Sequence, residues 1–172
     1  TIGAYKITHS NTGNELAIMK FNPLGTGIEY ATYMGGNGND FATSIWVHNT
    51  DLYLFGGTTS SNFPTTAGAF SIARSGASDA FVSRLSSNGS TLIGSTYIGG
   101  TDNEAYQAEF TPLGAVVYHP LSTNRSSQLS PGDIAIDASG NIWVTTNTNS
   151  TNFPTTSNAA VLTKSGGWDG VV

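Results

Sequence analysis

The chain has no cysteine among its 172 residues and few charged residues. The absence of cysteine excludes disulfide bridges, thiolate catalysis and cysteine-based zinc sites. Charged residues make up only 10% of the chain, with six Lys and Arg against eleven Asp and Glu. The resulting net charge of −5 offers no basic surface for nucleic acid or for an anionic membrane. We therefore expect no nucleic-acid partner.

Long apolar runs and helical periodicity are also missing. No run approaches the roughly 20 apolar residues of a membrane helix, so we expect no membrane insertion. No segment shows ten residues with the spacing of an amphipathic helix. The chain has instead short alternating apolar runs between Gly, Asn and Asp turns, which are typical of strands and hairpins. The sequence therefore predicts an all-β fold with very little helix.

An internal repeat organises the chain. The phrase that begins at Thr1 recurs at Thr66 as Thr-Ala-Gly-Ala-Phe and, more loosely, at Thr156. A strand pattern over 17–36 recurs over 79–100 and begins again at 168–172. Self-similarity of this kind is the signature of repeat architectures. It predicts one unit at 1–65, a second at 66–155 with an insertion at about 105–130, and the start of a next unit at 156–172. The missing Met and the mid-pattern stop suggest part of a longer protein.

Strands are predicted wherever apolar residues alternate in these units. The expected strands are Leu16–Phe21, Ile28–Met34, 42–48, 51–56, 81–85, Leu92–Ile98, 133–137 and 142–145. The pairs Phe63-Pro64 and Phe153-Pro154 are expected in loops or at an edge, because proline cannot donate to a β-ladder. Each Phe is a candidate packing plug. The insertion is predicted to form an extra hairpin followed by a mobile loop.

Four phrases carry a resemblance to a known family. They are Asp79-Ala80-Phe81-Val82, Ser95-Thr96-Tyr97-Ile98-Gly99-Gly100, the run from Ile134 to Asn141, and Asn152-Phe153-Pro154-Thr155-Thr156. Through them the chain, apart from its insertion, resembles the bacterial SBBP, or β-propeller repeat, family. Propellers have four-stranded blades, typically four to eight in a ring. The resemblance implies a partial β-propeller, with about two and a half four-stranded blades of a larger ring in this chain.

The resemblance also implies a setting and a function. Such repeats look like parts of large exported or cell-surface proteins of Bacteroidetes, with adhesion modules and a C-terminal sorting domain for type IX secretion. The family brings no catalytic residues. We therefore expect a secreted or cell-surface, non-enzymatic module that acts as a scaffold or an adhesion surface. Its expected partners are other domains or subunits of the same protein, or a glycan or protein ligand.

Two other functions stay open. One is a propeller enzyme, such as a polysaccharide lyase or hydrolase, whose catalytic residues lie outside this chain. The other is a propeller that binds carbohydrate or calcium without chemistry. The strand residues Lys20 and Arg84 occupy equivalent repeat positions, so an architectural role is favoured for both over a catalytic one. A fold by itself does not establish that a protein catalyses a reaction.

A glycine-rich turn is the one candidate metal site. The run from Gly35 to Thr43 nearly matches the calcium nonapeptide G-G-x-G-x-D-x-U-x, and Asn37, Asn39 and Asp40 could supply the oxygen ligands that calcium prefers. The corresponding run of the second unit, which ends at Glu104, breaks the pattern. The favoured alternative is a structural turn whose acid accepts hydrogen bonds from local backbone N–H groups. No cofactor is expected, with calcium as the alternative.

The insertion is the preferred interaction region, because insertions in repeat folds map to loops on one face, often the binding face. The candidate interaction residues there are Phe110, Tyr118, Asn124 and Arg125.

Two groups of rings are weaker candidates. Trp46, Trp143 and Trp168 could stack on a sugar. Packing between blades is favoured for the first two, because they lie inside predicted strands. The three histidines, His9, His48 and His119, show no metal-ligand spacing and are expected in loops or on the surface.

Overall fold

The computed structural model describes residues 1–10, 12–105 and 132–172 in full, and residues 107–110 and 116–119 by their backbone. These residues contain eleven β-strands and no helix, so they include no helix long and apolar enough to cross a membrane. The strands are β1 Leu16–Phe21, β2 Ile28–Met34, β3 Asp40–His48, β4 Asp51–Thr58, β5 Asp79–Leu85, β6 Leu92–Ile98, β7 Gln107–Phe110, β8 Val116–His119, β9 Gly132–Ile136, β10 Ile142–Thr148 and β11 Asp169–Val171.

The strands confirm the prediction from alternating apolar residues and correct several of the predicted strand limits. Three predicted strands, now β1, β2 and β6, have the expected limits. The strands β3 and β4 extend two residues beyond the predicted 42–48 and 51–56. The extension pairs Asp40 with Thr58, and the Thr58 hydroxyl donates to Asp40 Oδ1 at 2.5 Å. The backbones of β7 and β8 pair as the hairpin predicted in the insertion, and the predicted mobile loop lies outside the described residues.

In the described ranges, all the strand pairs are antiparallel, and the strands form four sheets. The first sheet is β1–β2, the middle sheet is β3–β4–β5–β6, the third sheet is β11–β10–β9, and β7–β8 form a separate hairpin. The middle sheet takes β3 and β4 from the predicted unit 1–65 and β5 and β6 from the predicted unit 66–155. The sheet is therefore offset by two strands from the units of the sequence.

The middle sheet packs on the other two through alternate residues. Leu52 and Leu54 of β4 lie in a core shared with the first sheet. Tyr53 and Phe55, on the opposite face of the same strand, lie in a second core shared with the third sheet. Successive side chains of a strand point to opposite faces, so a strand buried on both faces needs a continuous apolar run. The three sheets are stacked in series, with the middle sheet covered on both faces.

The repeated Thr-x-Gly-Ala segments cover the outer edges of two sheets. The Thr66 hydroxyl accepts a hydrogen bond from the backbone N–H of Ser95 in β6 at 3.0 Å. The Thr1 hydroxyl accepts in the same way from Ala31 of β2, at 2.8 Å. A covered edge cannot template pairing with another chain. The repeat in the sequence is thus also a repeat of tertiary contacts.

Phe63 is buried as a packing plug. It lies in the loop after β4, is 2% exposed, and its ring centroid is 4.4 Å from that of Phe81. Its backbone N–H donates to the hydroxyl of Tyr97 at 2.7 Å. Phe153, the corresponding residue of the second unit, is half-buried. The interpretation of the Phe-Pro pair as loop and plug is confirmed for Phe63.

Candidate functional site

Asp40 stands at the centre of a buried polar cluster on the glycine turn. Its Oδ2 accepts hydrogen bonds from the Gly36 backbone N–H at 2.7 Å and from the Ser60 hydroxyl at 2.8 Å. Its Oδ1 accepts from the Thr58 hydroxyl. The side chain joins the turn before β3 to the end of β4, and it makes the local backbone contact that the structural-turn alternative describes.

The other two candidate calcium ligands face different neighbours. Asn37 Oδ1 accepts from the backbone N–H of Ser61 at 3.0 Å, and Asn39 Oδ1 accepts from that of Asn14 at 3.1 Å. Asn37, Asn39 and Asp40 are neighbours in the sequence, but their side-chain oxygens accept hydrogen bonds from different parts of the chain. In the described part of the chain, no group of three His, Asp or Glu side chains is placed to hold a metal ion. Calcium binding on this turn stays an untested alternative.

The same cluster recurs in the second unit with Glu104 in the place of Asp40. Glu104 is fully buried; its Oε2 accepts from the Gly100 backbone N–H at 3.0 Å, and its Oε1 accepts from the Thr148 hydroxyl at 2.6 Å. Ser150 accepts from the backbone N–H of Asp102 at 2.8 Å. The sequence carries a signal for this cluster, a Thr-x-Ser-x-Asn pattern at 58–62 and 148–152, although the pattern alone does not indicate a role.

The insertion interrupts one strand of the third sheet. The backbone N–H of Ala105 donates to Asn147 of β10 at 3.2 Å, and the next β10 residue, Thr146, pairs with Gly132. Two segments, one before and one after the insertion, thus continue a single strand. By comparison with the β3–β4 register, the insertion lies between the positions of Phe41 and Ala42.

The residues that directly follow the insertion lie where two sheets meet. The Thr43 hydroxyl of β3 donates to the backbone carbonyl of Gly132 at 3.2 Å, and the Ser44 hydroxyl donates to the carboxylate of Asp133. The edge strands β3 and β9 are therefore side by side. Of the candidate interaction residues, Phe110 and Tyr118 lie on β7 and β8, which are described by backbone only; Asn124 and Arg125 lie outside the described residues.

The tryptophans lie on separate elements. Trp46 is in β3 and 42% exposed, Trp143 is in β10 and 56% exposed, and Trp168 immediately precedes β11. Trp143 occupies the repeat position of Tyr53, which is 3% exposed against the third sheet. In the middle sheet, the residue at the position equivalent to Trp143 therefore packs against a neighbouring sheet.

The indole of Trp143 is oriented by the turn before β10. Its Nε1 donates to Asp137 Oδ2 at 3.3 Å. Hydrogen bonds from the Asn141 side chain and backbone, with smaller contributions from Trp143 and Ser139, lower the pKa of Asp137 to about 2. An ionised carboxylate therefore holds this turn above about pH 4.

The histidines occupy separate places. The His9 ring lies edge-on to Tyr33, with centroids 5.7 Å apart. His48 ends β3, and its Nε2 lies 2.9 Å from the side-chain amide of Asn49. His119 is in β8, of which only the backbone is described.

A groove lies between the first sheet and the inner edge of the middle sheet. We call it the β1–β3 groove; its volume is about 600 Å³. Its apolar walls include Ala17, Met19 and Phe21 of β1 and Ile45 of β3. Met19, Phe21 and Ile45 are 53%, 52% and 61% exposed, so the groove has an open apolar wall.

Glu15 lies at one end of the β1–β3 groove. Its side chain is fully buried, and it forms an ion pair with Lys6 through Oε1. Burial alone would raise the pKa of Glu15, but hydrogen bonds from Lys6 and Ser10 and the Lys6 charge together lower it. Among the residues that the structure describes, the second oxygen, Oε2, is buried without a hydrogen-bond partner, which is uncommon for a buried carboxylate.

Comparison with known proteins adds one finding. Residues 113–154 match a family described as "Beta-propeller repeat", a segment that runs from within the insertion through β9 and β10 to Pro154. The match is thus shorter than the resemblance expected from the sequence, and it includes part of the predicted insertion. No curated protein matches the chain. The chain is an all-β protein of stacked antiparallel sheets that carries a segment similar to the β-propeller repeat.

Proposed function

We propose that this chain is a section of a β-propeller that serves as a non-enzymatic scaffold or interaction module in a secreted or cell-surface protein. The observation that carries the proposal is the serial stacking of three antiparallel sheets, in which alternate residues of β4 pack on both neighbours. Radial stacking of four-stranded sheets is the architecture of a propeller, and the match to a β-propeller repeat supports it.

In this proposal each strand of the stacked sheets belongs to one of three blades. The middle sheet is one complete blade. The first sheet is the outer half of the blade before it, because β1 and β2 correspond in sequence to β5 and β6. The third sheet supplies the first three strands of the next blade. The adjoining edge strands, β3 and β9, are then the innermost strands, where the blades converge on the propeller axis.

Exposed apolar faces support further blades on both sides. Met19 and Phe21 of the first sheet, Ile45 and Val47 of β3, and Trp143 of the third sheet are each between 52% and 64% exposed. Met19, Phe21 and Ile45 line one groove, and a large exposed apolar patch on a monomer marks a contact surface. Neighbouring blades would cover these faces as the first and third sheets cover β4.

The pairing of the strand cations supports a structural rather than a catalytic role for them. The Arg84 guanidinium donates to Asp51 at 2.6 Å and lies 5.4 Å from the ring centroid of Tyr53. The Lys20 ammonium lies 2.7 Å from Glu29. Both cations thus bridge adjacent strands at the same repeat position, which is what cross-strand pairs in a sheet do.

Deletion of residues 106–131 tests the interaction role. Joining Ala105 directly to Gly132 makes the interrupted strand continuous in the register of β3, so the far-ultraviolet circular dichroism and the melting temperature should be retained. The labelled chain should bind a polysaccharide array without releasing products, and the deletion should weaken that binding at least tenfold. Product release would contradict the non-enzymatic role, and undiminished binding would contradict the insertion as the contact region. If the chain binds no polysaccharide in the array, the interaction role fails and only the scaffold role remains proposed.

A further inference from the structure

We infer that an open polar pocket between the first sheet and the tight turns of the middle sheet binds a neutral, hydroxyl-rich ligand of the saccharide class. We call it the turn pocket; its volume is about 440 Å³, within the roughly 300–1,000 Å³ that is typical of small-molecule sites. Its lining residues are Lys20, Glu29, Tyr30, Thr50, Ser87 and Asn88. The inference goes beyond the proposed function, because the turn pocket lies past the end of β3, whereas the insertion adjoins the start of that strand.

The turn pocket is built from both sheets. The first sheet supplies the end of β1 and the start of β2, and the middle sheet supplies the β3–β4 turn and the β5–β6 turn. Tyr30 is 6% exposed, and a Cβ on Gly89 would lie 2.4 Å from its ring. The ring of Tyr30 therefore packs directly on the β5–β6 turn, and this contact fixes the two halves of the pocket relative to each other.

The β3–β4 turn places a strained threonine at the pocket wall. Asn49 and Thr50 have φ +47° and +72°, and a positive φ is an outlier for a β-branched residue. The turns of the other three hairpins in the stacked sheets put a glycine at positive φ, namely Gly25, Gly89 and Gly140. Backbone strain of this kind is concentrated at functional positions. Here the strained residue is one whose side chain lines the turn pocket.

The charges of the turn pocket favour a neutral ligand. The Lys20 ammonium and the Glu29 carboxylate lie 2.7 Å apart, and their side chains are 49% and 41% exposed. An anionic ligand would be repelled by Glu29 and a cationic one by Lys20. A hydroxyl group both donates and accepts, so two neighbouring hydroxyls of a sugar can accept from Lys20 and donate to Glu29 together. The hydroxyls of Thr50 and Ser87 extend the same polar wall.

The polar lining is not required by the repeat. Tyr30 and Gly94 hold the same register position in β2 and β6, and the residue before each is Glu29 in one strand and Ile93 in the other. The corresponding place in the middle sheet therefore has neither the carboxylate nor the aromatic ring. A feature that one unit has and the other lacks is explained better by binding than by the architecture that both units share.

Titration with small sugars tests the inference. The ¹⁵N-labelled full chain is titrated with the methyl glycosides of glucose, galactose and mannose and with N-acetylglucosamine, and amide shifts are followed by NMR. We expect saturable shifts of the Thr50 and Ser87 amides with at least one sugar, and a dissociation constant in the millimolar range because the pocket is open. Glu29→Ala should weaken binding at least tenfold, because it removes a charged acceptor.

Asp102→Ala is the matched control, because it removes an exposed carboxylate outside the turn pocket, and binding should be unchanged. No saturable shift with any of the four sugars, or equal loss in both variants, would overturn the inference. Inorganic phosphate and tetramethylammonium should leave the Thr50 and Ser87 amides unshifted. Saturation of those shifts by either ion would overturn the assignment to a neutral ligand.

Thr50→Gly separates a binding role from strain alone. Glycine adopts positive φ without strain, so the variant should unfold at a higher urea concentration than the parent and yet bind the sugar more weakly. A higher urea midpoint with undiminished binding would overturn the role given to Thr50.

Deletion of residues 106–131 should leave the sugar shifts unchanged, and a millimolar site does not hold the chain on a washed polysaccharide array. The two binding tests can therefore fail separately. If the sugar shifts are absent while the deletion weakens polysaccharide binding, only the turn-pocket inference fails. If the shifts occur and the deletion has no effect on the array, the interaction role proposed for the insertion fails instead.

Discussion

Replacement of Tyr97 by phenylalanine removes one hydroxyl from the centre of the fold. Tyr97 is fully buried in β6. Its hydroxyl accepts a hydrogen bond from the Phe63 backbone N–H at 2.7 Å and donates to the Ser60 backbone carbonyl at 2.9 Å. Those two bonds fasten the loop after β4 over the middle sheet. Burial raises the pKa of Tyr97, so the hydroxyl stays protonated throughout the neutral range.

The expected loss of stability follows from the two backbone groups left behind. Phe63 and Ser60 are 2% and 0% exposed, so water cannot replace the hydroxyl without opening the loop. An unsatisfied buried polar group costs about 1–3 kcal/mol, and the ring itself remains, so little cavity is added. We expect Tyr97→Phe to lower the free energy of unfolding by about 2–4 kcal/mol. For a chain of this size that lowers Tm by roughly 5–15 °C.

Tyr33→Phe is the matched control, because Tyr33 holds the same repeat position in β2 but is half-exposed. Its loss should stay below about 1 kcal/mol, since water can solvate the exposed groups. Urea unfolding followed by circular dichroism measures both variants. A Tyr97→Phe protein within about 0.5 kcal/mol of the parent, or equal to Tyr33→Phe, would refute the reasoning, because substitutions without such a mechanism fall in that range.

Two further predictions concern a turn and two carboxylates. Gly89 has φ +70°, and an added Cβ would lie 2.4 Å from the Tyr30 ring, whereas Gly25, at φ +69°, has no neighbour within 4 Å. Gly89→Ala should therefore cost about 1–3 kcal/mol more than Gly25→Ala in urea unfolding; equal costs would contradict the close packing. By NMR titration Asp137 should have its midpoint at about 2 and Asp79, whose pKa is raised by burial, above 3.8. The stabilisation from Asp137 is complete above about pH 4 and is lost as the pH falls towards 2. The stabilisation from Asp79 grows as the pH falls through its midpoint. The reverse order of midpoints would contradict both assignments.

The strands were predictable because their signal is local. The limits of β1, β2 and β6 follow from alternating residues bounded by glycine and asparagine turns. Membership of the sheets was not predictable in this way. Five residues connect β2 to β3, and twenty connect β4 to β5, yet the short connection passes between sheets and the long one stays within the middle sheet. The long connection also covers the outer edge of β6, which its sequence does not reveal.

The polar cluster was found only in part. The sequence makes Asp40, the acid of the glycine turn, a candidate, but at its counterpart Glu104 the nonapeptide pattern is broken. The two acids differ by one methylene group. The insertion that follows Glu104 separates this residue in the sequence from the rest of its strand. Their shared role appears only when Thr58 and Thr148 are seen to donate to them. The exposure of Trp143 could not be predicted either, because it depends on what packs against the third sheet.

The pairing of β4 with β5 is the most direct test of the account, because it places one four-stranded sheet across the junction of two sequence units. The measurement is a NOESY experiment on the isotopically labelled chain. We predict backbone contacts between Leu54 and Ser83 and between Phe55 and Val82, in the antiparallel register of the middle sheet. Backbone contacts that instead pair β2 with β3, so that residues 1–65 form a sheet of their own, would contradict it.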